Sequence, residues 1–190
     1  MDRRKATIIF WAIAAGVVLF DLWSKAGAFS YLGARLIDGF DGNIQLLPAP
    51  AVKIFPGLAL EASINFGAFN GWFAQMGWVL IGVSGLAPIV TYLVVYRAKE
   101  SSPLLVTSLS LIAGGAMGNL WDRLLFGAVR DFIKVYVTID GREHVWPNFN
   151  IADSAIVVGV ILVIWKEFRP SGGDREEIEE PPPPAKEEEQ

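Results

Sequence analysis

Two aspartates, Asp131 and Asp153, are the side chains in this 190-residue sequence whose type and setting best suit bond-breaking chemistry. Elimination carries part of the reasoning. With no cysteine there is no disulfide, thiolate nucleophile or cysteine-based metal site, and nothing to say about redox compartment. The one histidine, His144, excludes a His-Glu-x-x-His metal site, and any Ser-His-Asp triad would have to use it. Neither a metal nor a cofactor is expected, which leaves carboxylates, lysine and hydroxyls. Two adjacent carboxyls suit amide hydrolysis: one, ionised, activates water, and the other, protonated, donates to the carbonyl oxygen or departing nitrogen. Close carboxyls do not both ionise easily, so the pair holds both states at once.

The elements that must position these groups are membrane helices. The chain is 53% hydrophobic and 19% charged, with a mean hydropathy of +0.41, too apolar for an ordinary soluble domain. A spanning helix needs about 20 apolar residues. Four such segments are expected, at about 6–25, 72–96, 101–121 and 148–168. The third is bounded by Lys99-Glu100 and Asp122-Arg123, and the fourth carries Asp153 near its start. The expected class is an all-α four-helix membrane protein with a small outer-face β-sheet and loop region at about 26–71. There, alternation in 43–47, 52–55 and 58–64, with Pro48, Pro50 and Pro56 between, predicts short strands.

Basic residues orient the segments. Arg3, Arg4 and Lys5 precede the first, Arg97 and Lys99 follow the second, and Lys166 and Arg169 follow the fourth. The positive-inside rule makes those ends cytoplasmic, puts both termini inside, and turns 26–71 and 124–146 outward. Trp23, Trp72, Trp121, Trp146 and Trp165 fall near segment ends, as an aromatic belt places them. A cleaved secretory signal ending at Ala26-Gly27-Ala28 is the alternative for the first segment, although Asp21 and Lys25 interrupt it. The net charge of −4 comes from residues 170–190, which hold 8 acids against 2 bases and four consecutive prolines, and which read as a disordered cytoplasmic tail. Residues 1–169 form the membrane domain.

An acid in or beside a span is costly, so Asp21, Asp122, Asp131 and Asp153 each invite a functional reading. Asp21 and Lys25, four apart, fit an ion pair at the outer helix end. Asn119, Asp122 and Arg123 share a helix face after Gly114-Gly115-Ala116-Met117-Gly118, whose small residues admit a close neighbouring helix. This triplet reads more readily as a polar clamp than as a catalytic group. Helix capping for Asp153, and pairing with Arg130 or Arg123 for Asp131, are the plain alternatives to a catalytic pair.

The sequence also resembles lipoprotein signal peptidase, the signal peptidase II family. The resemblance rests on Asp21-Leu-Trp-Ser-Lys25, Asn65-Phe-Gly67-Ala68-Phe69, Gly114-Gly-Ala-Met-Gly-Asn-Leu-Trp-Asp-Arg123, Val129-Arg-Asp-Phe132 and Phe149-Asn-Ile-Ala-Asp-Ser154, in the family's order across about 6–169. It implies a four-helix inner-membrane aspartyl endopeptidase that removes signal peptides from prolipoproteins just before a diacylglyceryl-modified cysteine. It further implies a catalytic dyad of Asp131 and Asp153. Asn65, Asn119, Arg123 and Asn150 would line the substrate site, and Asp21, Lys25, Asp122 and Gly118 would give structural support. Its partners would be lipidated prolipoproteins and membrane lipid, with no nucleic acid, and the enzyme would act as a monomer. The chain departs from the family pattern in a shorter asparagine motif, a longer outer loop before it, and the acidic tail.

Two other readings are open on the residues alone. Lys25 could serve as base for Ser24, Ser30 or Ser154 as nucleophile. A small transporter or assembly factor could relay protons through its acids, but those would line a path across the bilayer, whereas these gather at one face.

Overall fold

A computed structural model describes residues 1–39, 44–47, 49–67, 77–98 and 101–168. In chain order the elements are α1 (Arg3–Leu32), β1 (Arg35–Asp38), β2 (Ile44–Leu47), β3 (Val52–Phe55), β4 (Leu58–Asn65), α2 (Gly77–Arg97), α3 (Pro103–Phe126), β5 (Val129–Ile139), β6 (Arg142–Val145) and α4 (Ile151–Phe168). The chain is a helix-rich membrane protein. Three helices, α1, α2 and α3, are long and apolar enough to cross a bilayer. The fourth, α4, has 18 residues and includes Asp153, Lys166 and Glu167.

The helix ends follow local chemistry. Asp2 caps α1 by accepting from the Lys5 N–H at 2.9 Å, and Ser102 caps α3 ahead of Pro103. Gly33 (φ 70°) and Gly127 (φ 67°) end α1 and α3 in the left-handed conformation that glycine adopts without a Cβ penalty. The first segment was expected to stop near Lys25, but α1 runs to Leu32. Asp21 and Lys25 are both fully buried, so their charges are neutralised inside the bundle and do not end the helix.

α3 is the central helix, far more buried than α1 or α2. Its glycines are the reason. A Cβ on Gly114 would lie 2.7 Å from Val17 Cβ and 2.8 Å from the Ala14 carbonyl of α1, while one on Gly115 would collide with the Ala152 carbonyl of α4. Farther along the same α3–α4 seam, a Cβ on Gly159 of α4 would meet the Ser108 carbonyl at 2.7 Å. Backbones approach here because side chains are absent, which is how helices pack where no hydrophobic driving force separates lipid from protein. One end of the bundle is an apolar core of Ala6, Phe10, Ala14, Val95, Val106, Leu109 and Ala113.

The strands gather at the other end. β1 and β2 form a hairpin, and β3-β4-β5-β6 form a four-stranded antiparallel sheet. The strands expected at 43–47, 52–55 and 58–64 are β2, β3 and β4. Between the third and fourth expected segments the chain forms 11-residue β5 and its partner β6, so half of the larger sheet comes from outside 26–71. A second cluster, including Phe29, Leu32, Ala62 and Phe132, fastens the sheet to the end of α1. Phe69, Trp72, Lys99, Arg169 and the tail lie outside the described residues.

Candidate active site

The sheet delivers Asp131. On β5 it pairs with Ser63 of β4, and its side chain turns inward, 2% exposed. α4 delivers Asp153 in its first turn, half-buried. The chain between them is a hairpin, and Phe149 returns to β5 through backbone hydrogen bonds with Ile133 of 2.9 and 3.1 Å. That return places Asn150 beside Asp131.

Asn150 joins the two carboxyls. Its Nδ2 donates to Asp131 Oδ1 at 2.7 Å and to Asn119 Oδ1 at 3.2 Å. Its Oδ1 accepts the Asp153 N–H at 2.9 Å, while its own N–H donates to Asp153 Oδ2 at 3.2 Å. This reciprocal pair is a capping box built from Asn and Asp. Asp153 is thus both helix cap and candidate reacting group, and the two readings of it do not compete. Its other oxygen, Oδ1, accepts from Asn119 Nδ2 at 2.7 Å.

Below the pair lies a buried charge cluster. Lys25 Nζ reaches Asp21 at 2.7 Å, Asp122 at 3.2 Å and Asn119 Oδ1 at 3.2 Å, with Asp21, Lys25 and Asp122 all fully buried. Because an ammonium only donates, its contact fixes the Asn119 amide with the oxygen toward Lys25 and the nitrogen toward Asp153. Asp21 Oδ1 accepts the Ala152 N–H of α4 at 2.9 Å. A Cβ on Gly118 would sit 2.6 Å from Asp21 Oδ2, so only glycine leaves room for this carboxylate. Asp122 also takes three bonds from Arg130, at 2.8, 3.0 and 3.3 Å, one of them from the backbone N–H. Asp131 therefore does not pair with Arg130, as the plain reading had it.

The remaining expected residues stand at the rim. Asn65, exposed, accepts the Gly67 N–H at 2.8 Å through its side-chain oxygen, and its side chain also hydrogen-bonds Asp131. Arg123 donates to Ser84 Oγ of α2 at 3.2 Å and to the Asn119 carbonyl at 3.5 Å. Its charge is felt at Asp153, Asp131 and Asp122 without a hydrogen bond to any of them. Sequence reasoning missed Arg130 as the partner of Asp122 and Ser84 as that of Arg123. It also missed Asn148, which donates to Glu61 and Ser63 and braces the strand opposite Asp131. Adjacency in sequence hinted only at Arg130, next to Asp131.

Burial, and after it the Asp153 carboxylate, push the Asp131 carboxyl up to about 7, against the opposing pull of Asn150, Asn65 and Lys25. A group raised this far keeps its proton up to near neutrality, while Asp153 beside it accepts hydrogen bonds from Asn119 and the Asn150 N–H in the first turn of α4. The arrangement can take a proton from water at one carboxyl and give one to a substrate at the other. No group of three or more His, Cys, Asp or Glu side chains able to hold a metal occurs among the described residues.

A model of the family described as signal peptidase (SPase) II matches residues 13–169. The lipoprotein signal peptidase of Polynucleobacter necessarius subsp. necessarius is 39% identical over 168 residues, covering 86% of this chain and 91% of that protein. The one from Aquifex aeolicus is 32% identical over 170 residues, covering 87% and 89%. A solved structure of a bacterial membrane enzyme, determined by the in meso method at 2.3 Å resolution, matches with a TM-score of 0.67 at 26% identity, over 88% of this chain and 92% of the other.

Proposed function

The chain belongs to the signal peptidase II family, and from that premise we propose that it is an aspartyl endopeptidase. Its substrates are diacylglyceryl-modified prolipoproteins, from which it removes the signal peptide by cutting just before the lipidated cysteine. The observation that carries the reading is the unequal setting of two carboxyls joined through Asn150: Asp131 is buried and raised to about 7, while Asp153 accepts from Asn119 and the Asn150 N–H. Asp153 takes a proton from water, whose oxygen attacks the scissile carbonyl carbon, and Asp131 gives its proton to the carbonyl oxygen. The tetrahedral species collapses as the C–N bond breaks, with the proton on Asp153 passing to the departing amine and Asp131 recovering its own.

Charge balance supports this assignment. Lys25, Arg123 and Arg130 against Asp21 and Asp122 leave one positive charge in the cluster, which a dyad holding one proton neutralises. Asn65, Asn119, Arg123 and Asn150 hold the substrate backbone beside the dyad. Asp21, Lys25, Asp122 and Gly118 keep the ends of α1, α3 and α4 together beneath it.

The same reading makes α4 a fourth span, since 18 residues at 1.5 Å each reach about 27 Å, close to the roughly 30 Å hydrocarbon thickness. Arg3, Arg4, Lys5, Arg97 and Lys166 then mark the cytoplasmic end, and the dyad faces outward from the bacterial inner membrane. Residues 1–169 form the peptidase domain, which acts as a monomer, with both termini and the tail in the cytoplasm. At this depth the acyl chains of the substrate stay in hydrocarbon while the scissile bond meets the carboxyls, so binding energy remote from the reacting bond orients it.

The test is cleavage of a synthetic diacylated lipobox peptide by the purified protein, with the same peptide unlipidated as comparison. Cutting before the lipidated cysteine, and far slower cutting of the unlipidated peptide, is the expected result. Equal kcat/KM for the two peptides would overturn the lipid requirement, and absence of cleavage in a folded preparation would overturn the activity.

A further inference from the structure

The β5–β6 hairpin extends beyond the part of the sheet that packs on the bundle, and its residues alternate. Val135, Val137 and Ile139 of β5 lie on one side and Tyr136 and Thr138 on the other. The register pairs Val137 with His144 and Ile139 with Arg142, and the Trp146 N–H donates to the Val135 carbonyl at 2.9 Å, which carries the ladder one pair further. Directly opposed residues share a face, so Val135, Val137, Ile139 and Trp146 form one apolar surface with Arg142 and His144 among them. Val137 is 54% exposed, Ile139 52% and Trp146 69%. The opposite face is mixed, holding Thr138 and the Lys53–Glu143 ion pair of 3.2 Å beside Tyr136 and the exposed Val145.

Exposed apolar groups alone do not identify an occupant, but the path of this surface does. Trp146 lines a depression with Val135, Val137 and His144, and it also lines a second, of about 420 Å³, with Phe149, Asp153, Val157 and Val158. Val157 and Val158 are exposed positions of the strongly apolar helix α4. The apolar surface of the hairpin is thus continuous, through one tryptophan, with a lipid-facing flank of a membrane protein. Tryptophan and arginine are the residues expected where hydrocarbon gives way to headgroups. The hairpin is also held in one shape. Asp140 (φ 51°) and Gly141 (φ 75°) form a two-residue turn with positive φ at both positions, which matches the twist of the strands.

We propose that this hairpin face is a membrane-surface anchor: Val135, Val137, Ile139 and Trp146 enter the interfacial layer of the adjacent leaflet, and Arg142 meets lipid phosphate. Because Asp131 lies on the same strand four residues before Val135, the anchor sets the depth of the dyad relative to the bilayer. The inference needs the chain to sit in a membrane and does not depend on its chemistry.

The absence of native cysteine makes the test direct. Spin labels at Val137→Cys, Ile139→Cys and Thr138→Cys are read in the full chain reconstituted in phosphatidylcholine nanodiscs with and without phosphatidylglycerol. Labels at 137 and 139 should collide more with oxygen than with a polar nickel chelate, the label at 138 should do the reverse, and Arg142→Gln should move 139 toward the aqueous value. All three sites are exposed, so the labels do not threaten folding, and cleavage by each labelled protein verifies the fold independently. Nickel access at 137 or 139 equal to that at 138 overturns the proposal. So does spin–spin broadening that grows with protein-to-lipid ratio, which would assign the surface to a second copy of the chain.

Discussion

The two ends of the helical bundle are held by opposite means. At one end Phe10, Val95, Val106 and Leu109 pack among small residues, without a buried charge among the described residues. At the other, Asp21, Lys25, Asp122 and Arg130 are ion-paired, with three of the four fully buried. Apolar packing in a bilayer has lipid as a near-equal competitor and tolerates sliding or rotation of a helix. A network in which each ionic or amide group has a specific partner does not. The apolar end provides cohesion, and the polar end sets the register of α1, α3 and α4 to within the length of a hydrogen bond, where two carboxyls must be placed.

The sharpest break in this contrast comes from the dyad. Asp131→Asn or Asp153→Asn should each lower turnover of a diacylated peptide by about a thousandfold or more while leaving thermal stability in detergent close to wild type. Turnover near wild type in either variant removes that residue from the mechanism. Next is Lys25→Met, which strands Asp21 in the interior without a counter-charge and leaves Asp122 to Arg130 alone. A destabilisation of about 3–5 kcal/mol is expected from such an unpaired buried charge. Phe10→Ala, at the apolar end, should lower stability yet leave kcat per folded molecule unchanged. A Lys25→Met protein with wild-type melting and kcat would show that the network is not what sets register.

The third prediction concerns pH. An Asp131 carboxyl raised from 3.8 to about 7 keeps its proton in the folded state over a range where the unfolded chain has lost it. Its stabilising contribution is therefore complete below about pH 4 and is lost as pH rises through about 7. Activity that needs this proton should fall about tenfold per unit above the same point. Asp131→Asn should flatten the melting temperature between pH 5 and pH 8, and a wild-type slope retained in that variant would assign the titration to another group. A smaller contrast sets Gly118→Ala, whose methyl meets Asp21, against Gly16→Ala, which meets nothing within 4 Å. The first should lower both melting temperature and turnover, whereas the second should be neutral or stabilising by up to about 1 kcal/mol from helix propensity. Equal effects would mean that Asp21 moves aside freely. The smallest effect is expected on deleting residues 172–190, which should leave turnover in detergent unchanged; a large loss at normal expression would give the tail a role in catalysis.

Much of this was legible in the sequence where signals are local. The glycines of 114–118 announce close helix approach, and the alternation with proline between 43 and 64 announces strands. The acids at the ends of apolar stretches announce a polar site. Charge used as a helix boundary misled at Lys25, because a charge that finds its counter-charge in the fold need not end a helix; Gly33 was the true stop. The hairpin of β5 and β6 carried a readable mark, Asp140-Gly141 after Val135, Val137 and Ile139. What no local pattern contains is who meets whom. Arg130 bonding Asp122, Asn119 bonding Asp153 and Asn150 bridging to Asp131 depend on a strand turning back beneath three helices.

The reciprocal bonding of Asn150 and Asp153 has a practical side. A carboxyl that also closes the first turn of its helix fails in two ways when it is truncated: alanine at 153 would unravel the start of α4 as well as remove the proposed reacting group. Asparagine keeps an oxygen for the Asn150 N–H and so keeps the first turn of α4 closed, but it gives up the charge and the second acceptor, so that its amide nitrogen faces Asn119 Nδ2. A protein made with Asp153→Asn should therefore keep α4 in place and hold uncleaved substrate, which makes it the better form for trapping a complex, whereas a loss of function in Asp153→Ala would say little about chemistry.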